Sequence, residues 1–169
     1  MKIAFGYHMG TGKDTAVDYL IKKYGGVRLS VAAPLYKILY NSQDIFGFQK
    51  RKDREFLQWL SDWTRSKNPD KLVTLAIDKV HHHSNLFISD LRFPNEFNIL
   101  KKRGWTCIKL IRYVKDERKG TGTHDHPSEY SLDIIRNDEW NFIIDNNGTT
   151  EEFYRKLDMV IKSIVRSRL

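Results

Sequence analysis

The chain has 169 residues, the length of one domain with a buried core, and its 40% hydrophobic and 30% charged residues are the balance of a soluble globular protein. No apolar run approaches the roughly 20 residues that span a bilayer, so no membrane partner is expected. A formal charge of +8 calls for an anionic partner. The basic residues are spread along the chain, without a basic tail or the signature of a common nucleic-acid module, so phosphate-rich small molecules are favoured and no stable nucleic-acid partner is expected.

The chain opens on an apolar run, residues 2–6, which reads as a strand and not as a cleaved signal peptide. A glycine-containing loop over residues 7–14 follows, then a helix from about 14 to 24 that Gly25 and Gly26 end. Residues 27–30 form a short second strand. A helix opens around Pro34 and carries Leu35, Ile38 and Leu39. Residues 41–68 are rich in charge and aromatics, and Phe56, Leu60 and Trp63 at helical spacing predict mostly helix with one packed face. Pro69 and Asp70 start another helix with Leu72, Val73, Leu75, Ala76 and Val80 as its apolar face.

A third strand is expected at 86–90, a helix from Pro94 to about Arg103, and a fourth strand at 106–111 buried on both faces. Cys107, the single cysteine, lies in that run and reads as a small buried hydrophobe; no intramolecular disulfide can form, which suits a reducing, cytoplasmic location. Residues 112–128 have the composition of a flap, a short helix fits 128–136, and a last strand covers 141–145. Thr150, with Glu151 and Glu152 in the first turn, caps a final amphipathic helix through Ile164. Strands alternating with helices imply an α/β fold, a parallel sheet covered on both faces.

The chemistry concentrates in two segments. Gly10-Thr11-Gly12-Lys13-Asp14-Thr15 lies between the first strand and the first helix, where backbone N–H groups and the helix's positive end cradle phosphates. Lys13 would reach the β- and γ-phosphates of a nucleoside triphosphate. The loop departs from the usual pattern twice: Asp14 precedes Thr15 where serine or threonine normally follows the lysine, and Tyr7 stands where the first glycine belongs. The second segment is Asp90 to Glu96, at the end of the third strand. Asp90 would face the ligand crevice and hold magnesium through water, or cap the segment that follows. Arg92 offers a fork for a phosphate or pairs with Glu96, and Glu96 serves the site or simply the helix start.

Other clusters carry less. His81, His82 and His83 are adjacent on a helix end, point about 100° apart and cannot converge on one ion. His124 and His126 beside Asp125 would sooner touch substrate than metal. Trp59 and Trp63 either pack between helix and core or stack a base.

In these residues the chain resembles the phage-type deoxynucleoside monophosphate kinases. That family joins a Gly-Lys-Asp-Thr loop, here Gly12 to Thr15, to an Asp-x-Arg-Phe-Pro-Asn-Glu segment, here Asp90 to Glu96. Weaker agreement comes in order from Ala33-Pro34-Leu35-Tyr36-Lys37, from Phe56 to Leu60 with Trp63 and Arg65, from His126-Pro127-Ser128-Glu129, and from Asp145 to Thr149. The resemblance implies a three-layer P-loop kinase fold with about five parallel strands. It implies a core over 1–40, 69–111 and 133–169, a helical acceptor-binding insert at 41–68 and a lid at 112–132. It also implies Mg2+-dependent transfer from ATP to a deoxynucleoside 5′-monophosphate, in the cytoplasm (the host's, for a phage), by a possible homodimer.

On that resemblance Gly10, Thr11, Gly12, Lys13, Asp14 and Thr15 bind ATP; Asp14, Thr15 and Asp90 hold the metal; and Lys13, Asp14, Asp90, Arg92 and Glu96 are catalytic. Arg92 and Glu96, with Glu129 and the lesser candidates Lys37 and Arg65, would bind the acceptor, while Arg112 and Arg118 would close from the lid. Two other readings stand beside it: the same chemistry on another acceptor such as dephospho-coenzyme A, and a nucleotide-regulated nucleic-acid-binding protein without turnover.

Overall fold

The computed structural model describes residues 1–78, 85–113 and 127–167. Five strands, β1 (Lys2–Gly6), β2 (Val27–Leu29), β3 (Leu86–Leu91), β4 (Thr106–Ile111) and β5 (Phe142–Asp145), form one parallel sheet in the order β2-β3-β1-β4-β5. Six helices among the described residues accompany them: α1 (Lys13–Tyr24), α2 (Ala33–Ile45), α3 (Arg54–Lys67), α4 (Lys71–Ile77), α5 (Pro94–Lys102) and α6 (Thr150–Arg166).

Side-chain alternation sends neighbouring residues of each strand to opposite layers. Ile3 and Phe5 of β1, Phe87 of β3 and Ile108 and Leu110 of β4 pack with Ala16, Val17 and Leu20 of α1 and with Phe153, Leu157 and Ile161 of α6. Ala4, Ile88 and Cys107 face the other way, toward Leu35 and Leu39 of α2, Leu57 and Leu60 of α3, Leu72 of α4 and Phe97 and Leu100 of α5. Both faces of the sheet are thus covered, the three-layer architecture the sequence predicts. Burial pushes the Cys107 thiol up to about 12, so it is an inert core residue.

β1 is central, and its neighbours β3 and β4 depart to different helices, which opens a crevice at the strands' C-terminal ends. The β1–β3 register slips there: Ala4 opposes Ile88, but Gly6 opposes Leu91. The extra residue falls at Ser89–Asp90, a local irregularity of the kind that re-aims side chains beside sites.

Several local expectations change. The helix foreseen through 41–68 is broken: α2 stops at Ile45, Gly47 takes a left-handed φ of +67°, and α3 begins only after Asp53 accepts a hydrogen bond from the Phe56 N–H. The gap between them is held by Gln43, whose amide brackets the backbone of Arg51 at 2.9 and 3.1 Å. The α3 face that packs carries Leu57, Leu60 and Ser61, while Trp59 and Trp63 are 61% and 52% exposed, so Trp63 leaves the packed set. Thr149, not Thr150, caps α6, in a reciprocal pair with Glu152. The short helix near 128–136 resolves into three 3-10 turns, Pro127–Glu129, Ser131–Ile134 and Asn137–Glu139. Val80, His81 to His83, Arg118, His124, Asp125 and His126 lie outside the described residues.

Candidate active site

The loop from β1 to α1 closes around its own lysine. Lys13 is 7% exposed and bends back, donating to the Tyr7 carbonyl at 3.0 Å and to the His8 carbonyl, with Thr11 Oγ1 at 3.4 Å. Burial first, then the nearby charge of Arg92, pushes its pKa down to about 8; Glu129, Asp14 and Asp90 pull the other way. Gly12 holds φ +98°, and a Cβ there would meet Asn146 Nδ2 at 2.5 Å. That amide donates to the Thr11 carbonyl at 3.0 Å, so the turn after β5 buttresses the loop. Tyr7, at the missing glycine's position, takes the glycine's conformation, φ +99°. Its ring stacks on His8 with centroids 3.9 Å apart, and the buried Lys109 of β4 lies over it.

Two cavities meet in front of this loop. The first, about 610 Å³, is lined by Gly10, Gly12, Lys13, Asp14, Thr15 and Arg112, and also by Arg28, Ser30 and Ser89. The second, about 150 Å³, runs under α3, whose Arg54, Leu57, Gln58, Ser61 and Arg65 fall on one helix face. Its other walls include Leu35, Leu72, Phe93, Glu96, Ser128 and Glu129. Met9, Ala32, Tyr36, Lys52, Asp90 and Arg92 line both cavities and so mark their junction.

The carboxylates are more committed than the sequence suggests. Asp90 accepts from the Ser30 hydroxyl at 2.7 Å and from the Val31 and Ala32 N–H groups at 3.1 and 3.0 Å. It caps the turn into α2, across the sheet, and not the segment after itself. Glu96 is 1% exposed; it accepts from the Arg92 and Phe93 N–H groups and pairs with Arg65 at 2.7 Å. Burial raises its pKa, while Arg65 and the Arg92 N–H oppose the rise. Arg65 also donates to Ser61 and lies 3.9 Å over the Phe93 ring. Arg92 pairs with Glu129 at 2.7 Å and donates to the Ser128 carbonyl.

Of the residues the sequence singles out, Lys13, Asp14, Thr15, Asp90, Arg92 and Arg112 meet at the first cavity, and Arg65, Arg92, Glu96 and Glu129 at the second. Glu96 and Arg92 form no ion pair in the structure; Glu96 takes Arg65 instead. Lys37 is not brought in: Tyr36 points to the junction, and the next residue on the helix, about 100° round, is exposed. Lys52, Tyr36 and Gln58 take places there that the sequence reading did not assign. Trp59 and Trp63 are exposed and line neither cavity, so the structure brings them neither to the packed face of α3 nor to the site.

A magnesium ion fits the first cavity by chemistry. Asp14, Thr15, Ser30, Ser89 and Asp90 present hard oxygen atoms there, and Asp14 Oδ1 already accepts from Ser89 at 2.7 Å. Among the described residues no three His, Cys, Asp or Glu side chains gather as a cage. One or two carboxylates completed by phosphate oxygens is the usual arrangement for this ion.

Comparison with known proteins identifies the family. No family model matches the chain. It is 31% identical over 180 residues to a protein of Acanthamoeba polyphaga mimivirus named "Putative deoxynucleotide monophosphate kinase", covering 88% of this chain and 89% of that one. The chain belongs to the deoxynucleotide monophosphate kinase family. Membership makes it an enzyme of the phosphotransferase class. A second relative of this kinase, the uncharacterized protein ORF77 of Ictalurid herpesvirus 1, is 34% identical over 141 residues, which are 79% of this chain and 60% of that one. Solved structures share the fold at low identity. Shikimate kinase from Acinetobacter baumannii matches with a TM-score of 0.55 at 13% identity, over 99% of this kinase and 94% of that chain. Dephospho-CoA kinase from Campylobacter jejuni matches with a TM-score of 0.51 at 18% identity, over all of both chains. Both are P-loop kinases, the fold class expected from the sequence. No helix among the described residues is long and apolar enough to cross a membrane.

Proposed function

We propose that the protein transfers the γ-phosphoryl group of ATP to a deoxynucleoside 5′-monophosphate. The observation that carries this reading is the junction: a phosphate-loop cavity and a second cavity share Asp90 and Arg92, so a triphosphate in one and a monophosphate in the other would meet there. The named activity of the mimivirus relative supports the same acceptor class.

A phosphate monoester is largely dianionic at neutral pH, so the acceptor needs no general base. One of its oxygens forms the new bond to the γ-phosphorus in line, the bond to the β–γ bridging oxygen breaks, and ADP leaves with that electron pair. Catalysis is then positioning and charge stabilisation. Lys13 leaves the Tyr7 and His8 carbonyls for the donor phosphates. Arg92, oriented by Glu129 and Ser128, neutralises oxygens at the junction, with Lys52 beside it and Arg112 at the donor side. Asp90 and Glu96 act as positioning residues, since their oxygens already hold backbone and Arg65. Magnesium, held through Asp14 and Thr15, would neutralise charge on the donor phosphates.

The test is ADP release from magnesium-ATP with each deoxy- and ribonucleoside monophosphate and with dephospho-coenzyme A, using Lys13→Ala as control. Release that requires a deoxynucleoside monophosphate and disappears in the control supports the proposal. Release with dephospho-coenzyme A alone replaces the acceptor. ATP binding without release under any condition overturns phosphoryl transfer.

A further inference from the structure

We propose that Gln58 reads the hydrogen-bonding edge of the acceptor's nucleobase, an assignment that rests on the acceptor reading above. With the acceptor phosphate at Arg92, the rest of the molecule must extend away from the junction, into the part of the second cavity that the first does not share. There the walls carry the apolar side chains of Val31, Leu35, Leu57, Leu72 and Phe93. A flat heterocycle fits such walls, but its polar rim needs a partner.

Two groups in that part keep open hydrogen-bonding capacity among the described residues: Arg65 Nε, a donor only, and the Gln58 amide, which can both donate and accept. Arg65, Glu96 and Ser61 bind one another. Arg54 and Ser128 have partners, and Glu129 holds Arg92. Gln58 is half-buried on the cavity-facing side of α3, between Leu57 and Ser61, and its side-chain amide has no hydrogen-bond partner among the described residues. Leaving a partly desolvated amide unpaired is unfavourable, and a ligand edge would remove that cost.

A primary amide sets one acceptor beside two donors. Adenine and cytosine present an amino donor next to a ring-nitrogen acceptor. Thymine and guanine present a carbonyl acceptor next to a ring N–H. One amide serves both kinds by turning 180°, so Gln58 would detect that a base is present without choosing strongly among the four. Glutamate at this position offers acceptors only. Guanine alone matches that, because its ring N–H and amino group are adjacent donors.

The experiment compares wild type, Gln58→Leu and Gln58→Glu with dAMP, dCMP, dGMP and dTMP under saturating magnesium-ATP. It also uses 2-deoxyribose 5-phosphate, which lacks a base, as a competitive inhibitor. Gln58→Leu should raise KM for every nucleotide by about 10- to 100-fold, the worth of a two-point amide–base contact. The fall in kcat should be much smaller, and the inhibition constant of 2-deoxyribose 5-phosphate should stay where it is. Gln58→Glu should shift the ranking of kcat/KM toward dGMP. An unchanged nucleotide KM in Gln58→Leu overturns the assignment. So does a parallel weakening of 2-deoxyribose 5-phosphate, which would mark a merely structural role, and so does an unaltered ranking in Gln58→Glu. If wild type uses the nucleotides and the variants fail these tests, only Gln58 is lost. If wild type turns over none, the acceptor reading falls and takes this inference with it.

Discussion

Lys109 Nζ lies 4.0 Å over the ring of Tyr7, the residue whose backbone sits at φ +99° where the phosphate loop would normally carry glycine. Lys109 is 6% exposed, donates to Asn137 Oδ1 at 2.9 Å, and burial lowers its pKa. His8, stacked on the Tyr7 ring, pairs with Asp133 at 2.7 Å. The strained residue is therefore clamped from β4 and from the turns that carry Asp133 and Asn137. A non-glycine residue in this conformation costs roughly 1–2 kcal/mol, which the ring's contacts help to offset.

Replacing Tyr7 separates strain from contact. Tyr7→Ala loses the ring and keeps the strain; Tyr7→Gly loses both. Glycine is ordinarily the less stable choice because its unfolded chain is freer. Here Tyr7→Gly should be more stable than Tyr7→Ala by about 1 kcal/mol in chemical denaturation. Equal stabilities, or a more stable alanine variant, would refute the left-handed backbone at this position.

Asp90 gives a second separation, between anchoring and chemistry. Its two oxygens hold the turn at residues 30–32, and that turn forms the wall common to both cavities. Asp90→Asn places an amide NH2 against N–H or O–H donors, so folding should weaken by about 2 kcal/mol as well as activity. Full retention of stability with loss of turnover would assign Asp90 to chemistry alone.

The sheet and the phosphate loop were legible because alternation in β1, β3 and β4 and the glycine spacing are local signals. Asp90 and Arg92 were legible for the same reason. What Asp90 holds was not, since Ser30 is 60 residues away along the chain. The break between α2 and α3 depends on Gln43 bracketing Arg51, a contact with no periodic signature. Lys109 lies within the fourth strand, and no local signal says that it meets Tyr7 and Asn137. Lys52, just before α3, and Gln58, on it, reach the cavities only through the way α3 lies across them, and Asn146 reaches the loop only because β5 ends beside it. Gly47 and the N-cap Asp53 were local signs of the helix break.

The Arg65–Glu96 pair should show the energetics of a buried ion pair. Glu96→Gln leaves Arg65 charged with fewer good acceptors, at a cost of about 3 kcal/mol, because the desolvated charge loses its counterion. Adding Arg65→Met removes that charge and should recover part of the loss. A double-mutant cycle by urea denaturation measures the coupling. Strictly additive losses would mean that the pair contributes nothing as a pair.

Lys13 makes nucleotide binding depend on pH in a stated direction. With a pKa of about 8, its amine is mostly charged at pH 7 and mostly neutral at pH 9. The triphosphate needs the charged form, so binding above pH 8 must first take up a proton. Affinity for ATP should then fall roughly tenfold per pH unit above 8, until the bound-state pKa is reached. Stability runs the other way. Between about 8 and the ordinary lysine value of 10.5 the unfolded chain holds more protons at this site, so Lys13 becomes less destabilising as pH rises. Fluorescence titration of ATP across pH 7 to 9.5 measures the first effect, with Lys13→Met as control. The variant should bind ATP weakly and without that slope; a slope shared by wild type and variant would place the titrating group elsewhere.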